Sequence, residues 1–497
     1  MHPPNEPSTA PVVRNHLAPG QACLLGGGAV GAFHLAQAHP GLSWLVLGYL
    51  GGLFELRKLP SARQAFYVGM LVGFGVFVPQ TWFLWTIFHA AALPLWGILA
   101  LFPAAFLTTL NRTEARWGPA WSVGMAPVLW CGIEYFRSEV WWLRFSWLTA
   151  GSLPGSHAGE LLRVLGIYGL GAVTMALVAI YLGLPLPRPA YRRWVIGSAV
   201  ILLGAGWLWP ASAPDAPETK SPAVEIGGIQ MEFPGVPEVV AALDDLIRTH
   251  PQVELIVLSE YTFDGPIPTT VKQWCRRKQR WLIAGGKQPI VADTETPTRE
   301  ARRLETSLGP DTERYFNTAF VVSTNGDVVF SQAKSRPIQF FKDGEPAREQ
   351  QLWASPWGRI GIAICYDVSY RQVMDRLVRL GAQAMIVPTM DVVEWGEREH
   401  RLNARMATIR ATEYGLPLFR VASSGISQLV GGNGREQAVA GFPGPNATIT
   451  GTFQPVPRGG QVPLDAWLAP ACMYGSGGGI VGLAASAWLR RRQRLSS

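Results

Sequence analysis

From about residue 22 to residue 211 the chain is a succession of apolar runs, each near the length that crosses the ~30 Å hydrocarbon core of a bilayer. Such runs lie near 22–38, 41–56, 65–88, 91–110, 119–137, 162–186 and 194–211, and a last one lies near 472–489. The first two are short and are interrupted by His34, His39 and Pro40, which suits tilted, re-entrant or broken-hairpin segments. Residues 212–470 instead alternate polar and apolar stretches, as a globular domain does. The overall composition, 48% hydrophobic and 16% charged, averages these two unlike parts. The expected organisation is a polar tail (1–21), a membrane domain of about seven spans (22–211), a globular domain (212–470), one last transmembrane helix (471–489) and a basic tail (490–497).

Cations fix the orientation expected for such a chain, because short cytoplasmic loops retain Lys and Arg. Arg57, Lys58 and Arg63 follow the second run, Arg112 and Arg116 the fourth, Arg188, Arg192 and Arg193 the sixth, and Arg490, Arg491, Arg492 and Arg494 the last. All these clusters share one side if every run crosses, which makes that side cytoplasmic and the 212–470 domain extracytoplasmic. The net charge of +8 sits largely in these loops rather than on a basic face with interleaved aromatics, so nucleic-acid binding is not expected. The stretch MHPPNEPSTAPVVRNHLAPG is polar and Pro-rich without a small-residue cleavage site after a short apolar core, so the first spans are expected to direct insertion. Trp141, Trp142 and Trp147 suit either an interface belt or ordinary packing.

The 212–470 region reads as alternating strands and helices. AVEIGGIQM (223–231) is an opening strand, VPEVVAALDDLIRTH (236–250) an amphipathic helix, and ELIVLSE (254–260) a buried strand ending in Glu260. VKQWCRRKQRWLIAGGKQ is a helix followed by a strand, and residues 315–334 form a hairpin turning at Asn325-Gly326. GRIGIAICYD is a strand, VSYRQVMDRLVRLGA a helix, AMIVPTM a strand, residues 397–414 a helix, and LPLFRVASSGISQLV a strand and turn. The pattern implies an α/β sandwich with strand ends lining a site.

Three residues at such strand ends carry chemistry: Glu260, Lys334 and Cys365. A thiol becomes a strong nucleophile when a cation favours its thiolate and a base takes its proton, so the three together can form acyl-enzymes. Taken singly, Cys365 reads as a buried core thiol and Lys334 as a surface lysine. An acid ending so apolar a strand as LIVLS needs a reason. The cysteines Cys23, Cys131, Cys275, Cys365 and Cys472 have no metal-like spacing, so neither metal nor cofactor is expected, and Cys275 reads as a packing or surface thiol. His400 suits capping or packing a helix about as well as touching substrate, and no catalytic role is expected of it.

The order Glu, Lys, Cys, each after a β-like run, resembles the nitrilase (carbon-nitrogen hydrolase) superfamily. A nitrilase-like domain between the penultimate and last spans is similar to the apolipoprotein N-acyltransferase family. So is EWGEREHRLNARMATIRATEYGLPLFRVASSGIS (394–427), beside the family's Trp-Phe-Gly, His, Arg-Ala-x-Glu-x-Gly-x-Pro and Asn-x-Gly-Ile-Ser elements. In the membrane half, IEYFRSEVWWLRFSWLTAGSLPG and LLRVLGIYGLGAVT resemble its Leu-Glu-x-x-Arg, Phe-x-Trp and Gly-x-Tyr-Gly segments.

The resemblance implies a multi-span helical domain plus an αββα sandwich, a Glu260, Lys334 and Cys365 triad, and supporting roles for Glu345, Tyr366, Asp367 and Glu413. It further implies a bacterial inner-membrane enzyme that moves an acyl chain from phospholipid, through a Cys thioester, to the amine of a diacylglyceryl-cysteine lipoprotein. The departures are local. Glu345 lies eleven residues after Lys334 where the family has a Glu after eight, Asp367 replaces a Glu, and VPTMDVVEWG replaces an Asn-containing stretch. A membrane-anchored amidase with a small-molecule substrate, and a non-catalytic assembly or transport protein, are the alternatives.

Overall fold

The computed structural model describes residues 16–183, 222–290 and 314–495. Outside the described residues lie the expected span 194–211, the end of the run 162–186, Arg188, Arg192, Arg193, most of the tail 1–21, and the boundary at residue 212. The side chains of Arg490, Arg491 and Arg494 also lie outside them.

The first half is helical: α1 (Pro19–Ala38), α2 (Val46–Glu55), α3 (Ala62–Gln80), α4 (Phe83–Phe88), α5 (Ala92–Trp117), α6 (Pro119–Tyr135) and α7 (Gly159–Gly183). Among the described residues, four helical stretches are long and apolar enough to cross a membrane: Ala62–Gln80, Phe83–Trp117, Gly155–Gly183 and Asp465–Leu489. The runs at 41–56 and 119–137 yield helices of 10 and 17 residues, short for a full crossing at ~1.5 Å per residue. Helix α3 packs on α5 through Gly69 and Gly73. A Cβ on Gly73 would stand 2.6 Å from the Ala100 Cα, so the close approach requires glycine.

The apolar run 65–88 is not one helix. It stops at Gln80, where the Thr81 hydroxyl donates to the Phe77 carbonyl at 2.8 Å, and it restarts as the six-residue α4. His89, at φ 49°, separates α4 from α5. Past α6, a wider helical turn over Phe136–Val140 leads into an irregular segment that reaches under the second half of the molecule.

That second half is a two-sheet sandwich. The first sheet runs β12 (Thr448–Phe453), β1 (Val224–Ile229), β2 (Leu255–Leu258), β3 (Trp281–Pro289), β4 (Tyr315–Val322), β5 (Val328–Ala333). The second runs β11 (Glu436–Ala440), β10 (Ser427–Val430), β9 (Leu418–Ala422), β8 (Ala384–Thr389), β7 (Gly358–Ile362), β6 (Leu352–Ser355). In each sheet the three central strands β1–β3 and β7–β9 are parallel and the flanking ones antiparallel.

Parallel strands are buried on both faces, so they read as unbroken apolar runs whose alternate residues go to different cores. Leu255 and Val257 of β2 meet Ile360 and Ile386 between the sheets, whereas Ile256 and Leu258 face outward. There they meet Val239, Leu243 and Leu246 of α8 (Val236–Thr249) and Trp274 of α9 (Thr269–Lys278). On the other side, Met385 and Val387 of β8 face α10 (Arg371–Arg379) and α11 (Glu397–Tyr414). That outer layer is continuous with the membrane half, for Met406 and Ile409 share one apolar cluster with Leu162 and Tyr168. The chain closes with α12 (Asp465–Leu495), which packs along α6 and α7.

Candidate active site

Parallel strands that start together also end together, and their carboxyl ends here point at the helical half. Glu260 lies two residues past β2, Lys334 directly past β5, Cys365 three residues past β7, and Met390 directly past β8. The structure brings Glu260, Lys334 and Cys365 into one buried cluster, each 3% exposed or less.

Lys334 Nζ donates to Glu260 Oε1 at 2.9 Å and to Asp343 Oδ2 at 2.7 Å. Asn317, on β4, spans the same two acids, its Nδ2 donating to Glu260 Oε1 at 2.5 Å and to Asp343 Oδ1 at 2.8 Å. The Tyr261 hydroxyl (2.9 Å) and the Ile338 N–H (2.7 Å) complete the Asp343 carboxylate. One ammonium between two carboxylates leaves net negative charge in a dry pocket, and the protonation states follow. Burial, then the charge of Asp343, raises Glu260 above the ordinary carboxylate range, although Lys334 opposes it. Burial would lower the Lys334 ammonium, but Asp343 and Glu260 outweigh it and hold Lys334 well above its usual value.

Cys365 opens a tight turn at φ 51°, a left-handed conformation that costs a non-glycine residue about 1–2 kcal/mol and aims the side chain out of the sheet. Its Sγ points to the Met390 carbonyl at 3.7 Å, while the Met390 N–H donates to Glu260 Oε2 at 2.9 Å. The backbone of one residue thus ties thiol and carboxylate together. Burial and the Glu260 charge push the thiol well above its usual range against the pull of Lys334. At rest the sulfur is therefore a neutral thiol, not the thiolate that a neighbouring lysine alone suggests.

Cys365 also lines an apolar cavity of about 150 Å³ between the two halves. Its walls come from α4 and α5 (Phe83, Ile87, Leu99) and from Trp141 and Trp147 of the segment after α6. Phe340 and Phe341, on the loop between Lys334 and Asp343, cover it: Phe341 lies 5.6 Å from Phe88 and 6.0 Å from Trp395, ring to ring. Arg137, Arg144, Glu399 and Asn403 are polar residues on this wall.

The remaining sequence candidates separate. Tyr366 stands in the cavity wall, its ring edge-on to Trp147 at 5.1 Å, and its hydroxyl accepts from the Ser146 N–H at 3.4 Å. Trp147 is buried and donates to Ser369 Oγ at 2.9 Å, so packing rather than an interface belt accounts for it. Asp367 takes the N–H groups of Ser335 (2.9 Å), Arg336 (2.7 Å) and Ile364 (3.3 Å), binding the Lys334 loop to the Cys365 turn. Burial outweighs those bonds and raises its carboxyl to about 6.

Glu413 lies outside the cluster. It pairs with Arg410 and accepts the Ile167 N–H at 2.9 Å, just past Gly166, where φ 71° breaks α7. Glu345 points to the surface and meets Arg314 at 3.3 Å. The acid beside Lys334 is Asp343, because Phe340 (φ 70°) and Gly344 (φ 79°) turn the loop so that Asp343 faces inward. His400 is buried, with Nε2 on the Val392 carbonyl at 2.9 Å, and Cys275 lies on the buried face of α9.

His400, Asp391 and Glu399 lie close enough together to hold a cation. Asp391, however, already pairs with Arg420 and Asn403, and a Cβ on Gly425 would lie 2.5 Å from Asp391 Oδ2 and 2.7 Å from His400 Nδ1. Arg420 already supplies the countercharge and His400 Nε2 is committed to the Val392 carbonyl, so the set does not call for a metal.

Sequence reasoning missed Asp343, Asn317, the Met390 backbone and Glu399. Asp343 carried a weak signal in the Asp-Gly step of FFKDGEPA, whereas nothing local marks the others: Asn317 arrives by pairing of β3 with β4, Met390 at the end of β8 and Glu399 on the first turn of α11.

Two family models match the chain: the apolipoprotein N-acyltransferase N-terminal domain over residues 29–181 and carbon-nitrogen hydrolase over residues 245–453. An apolipoprotein N-acyltransferase of Pseudomonas paraeruginosa is 30% identical over 444 residues, covering 79% of this chain and 81% of that one. One of Rhizobium etli is 27% identical over 460 residues, covering 81% and 82%. Among solved structures, Nit3 of Saccharomyces cerevisiae, a nitrilase-superfamily member, is similar at 18% identity with a TM-score of 0.37, covering 48% of this chain and 92% of that one. The chain belongs to the apolipoprotein N-acyltransferase family.

Proposed function

We propose that this chain completes the acylation of bacterial lipoproteins, carrying an acyl group from a membrane phospholipid to the α-amine of a diacylglyceryl-cysteine through a thioester on Cys365. The observation that carries the reading is the setting of Cys365: a neutral thiol tied to a buried carboxylate, opening on an apolar cavity walled by membrane-half helices. A hydrolase of small polar amides has no use for such an apolar wall, whereas hydrocarbon next to the reacting carbonyl packs against it. Arg137 and Arg144 on the same wall suit the phosphate of a lipid donor.

In the first half-reaction sulfur attacks the ester carbonyl as its proton passes to Glu260, whose raised proton affinity suits a general base. The Lys334 ammonium offsets the charge on the tetrahedral oxygen. Collapse breaks the C–O bond, and the leaving lysophospholipid oxygen takes the proton back from Glu260. In the second half-reaction the neutral amine attacks the thioester, Glu260 takes the amine proton, the C–S bond breaks and the thiolate recovers that proton. Asp343 and Asn317 hold Lys334 and Glu260 in register, and Asp367 holds the two loops together. The catalytic half then lies outside the cytoplasm, where mature lipoprotein N-termini are.

Mass spectrometry of lipoprotein N-termini from cells with and without the chain tests this. The expected result is a third acyl group, amide-linked, only when the chain is present. Unchanged N-termini, together with Cys365-dependent hydrolysis of small amides, would overturn it.

A further inference from the structure

Glu399 is the one carboxylate among the described residues that line the Cys365 cavity. It is 4% exposed, and its Oε2 has no hydrogen-bond partner. Asn403 follows one turn later on the same face of α11, 2% exposed. Its amide nitrogen is committed to Asp391 Oδ1 at 2.8 Å, and its Oδ1 is left without a partner on the same cavity wall. Two residues of the cavity wall thus carry buried acceptors that no protein donor meets, the Glu399 carboxylate lying between this wall and the Asp391 and His400 side chains. A bare buried acceptor is costly, and what satisfies both is a ligand bringing several N–H groups.

Charge points the same way. Asp391 is neutralised by Arg420, whereas Glu399 has beside it only the His400 ring, its Nε2 3.8 Å away, which burial holds toward the neutral form. Burial and then the Asp391 charge hold its carboxyl well above the ordinary range.

We propose that Glu399 and Asn403 form a subsite for a primary ammonium group beside Cys365. The proposal rests on the acyl-transfer reading, which supplies two groups of that chemistry: the α-amine of the acceptor cysteine and the ethanolamine of a phospholipid head. For the acceptor, an ammonium on a carboxylate holds the same protons as a neutral amine on a carboxylic acid. Glu399 therefore takes one proton from nitrogen and leaves the lone pair free to attack the thioester.

Two comparisons test the subsite in the full-length protein. In Cys365→Ala, a diacylglyceryl peptide with a free N-terminal amine is expected to bind about tenfold or more tighter than its N-acetylated twin, as for one charge-assisted contact. Adding Glu399→Gln is expected to bring that ratio near one, and Glu399→Asp to restore part of it. In protein with Cys365 intact, the ratio of Cys365 acylation from phosphatidylethanolamine to that from phosphatidylglycerol is compared with and without Glu399→Gln. A change in the first ratio assigns the ammonium to the acceptor, and a change in the second to the donor head group. If neither ratio moves, the proposal is overturned. Each readout is a ratio within one protein, so partial unfolding lowers both members together. If intact Cys365 takes no acyl group from any phospholipid, the acyl-transfer reading fails, while the peptide pair still decides the subsite.

Discussion

At the scale of the residue, the site is a proton ledger in which two acids share one ammonium. Glu260 must be ionised to take the thiol proton, and its affinity is raised, so transfer is expected to fall off as pH drops through a value above the ordinary carboxylate range. Asp343→Asn removes a negative charge that helps raise Glu260. The acid limb of the kcat/KM profile is therefore expected to move to lower pH, and movement to higher pH would contradict the arrangement. Lys334→Met leaves Glu260 and Asp343 facing one another without their cation, which costs about 3–5 kcal/mol in the way a broken buried ion pair does. The double substitution Lys334→Met with Asp343→Asn is expected to recover much of the melting temperature and none of the transfer, a non-additivity read by a thermal cycle. The sequence displayed Glu260, Lys334 and Cys365 because each ends a strand whose apolar run is visible. Asp343 was obscured because its inward turn depends on backbone conformation at Phe340 and Gly344.

At the scale of the element, small residues and broken helices set the geometry. Gly73→Val is expected to separate α3 from α5, since even a Cβ meets the Ala100 backbone, and to lower thermal stability in detergent. Gly166 is constrained twice: its φ is 71°, and a Cβ there would overlap the Asp465 carboxylate. Past it, the restarting helix presents the N–H of Ile167 to Glu413 and that of Tyr168 to Asp465 (3.0 Å), so two carboxylates meet donors that an interrupted helix leaves bare. Glu413→Ala is expected to cost about 1–3 kcal/mol of stability from the orphaned donor and the unpaired Arg410, read by thermal unfolding. If stability is unchanged, the tether carries no load.

Element boundaries explain what was legible. The helix expected at 397–414 is Glu397–Tyr414, and the hairpin expected at 315–334 is β4 and β5, because amphipathic period and turn chemistry are local. The break between α3 and α4 was not legible, because Phe83–Phe88 stays apolar whether it continues a span or, as here, walls a cavity. Strands β6, β11 and β12 were missed because they are short or half-exposed edges defined by their partners.

At the scale of the whole molecule, the sandwich is mounted on the membrane half through polar contacts as well as apolar ones. Glu139, past α6, accepts the Arg371 N–H at the start of α10 at 2.8 Å, and Asp465 of α12 pairs with the Arg371 side chain. The cation pattern carries the expectation that Arg116 and the C-terminus share the cytoplasmic side. Reporter fusions there are expected to read cytoplasm and fusions within 222–290 the opposite side, and a cytoplasmic signal from the latter would remove the lipoprotein from reach. The most direct measurement concerns Cys365 itself. Incubated with phospholipid and no acceptor, the intact protein is expected to gain the mass of one fatty acyl group on Cys365, removed by neutral hydroxylamine and absent in Cys365→Ala, with discharge on adding a diacylglyceryl peptide that has a free N-terminal cysteine. Transfer to the peptide with no acyl group ever detectable on Cys365, or undiminished transfer by Cys365→Ala, would contradict the account.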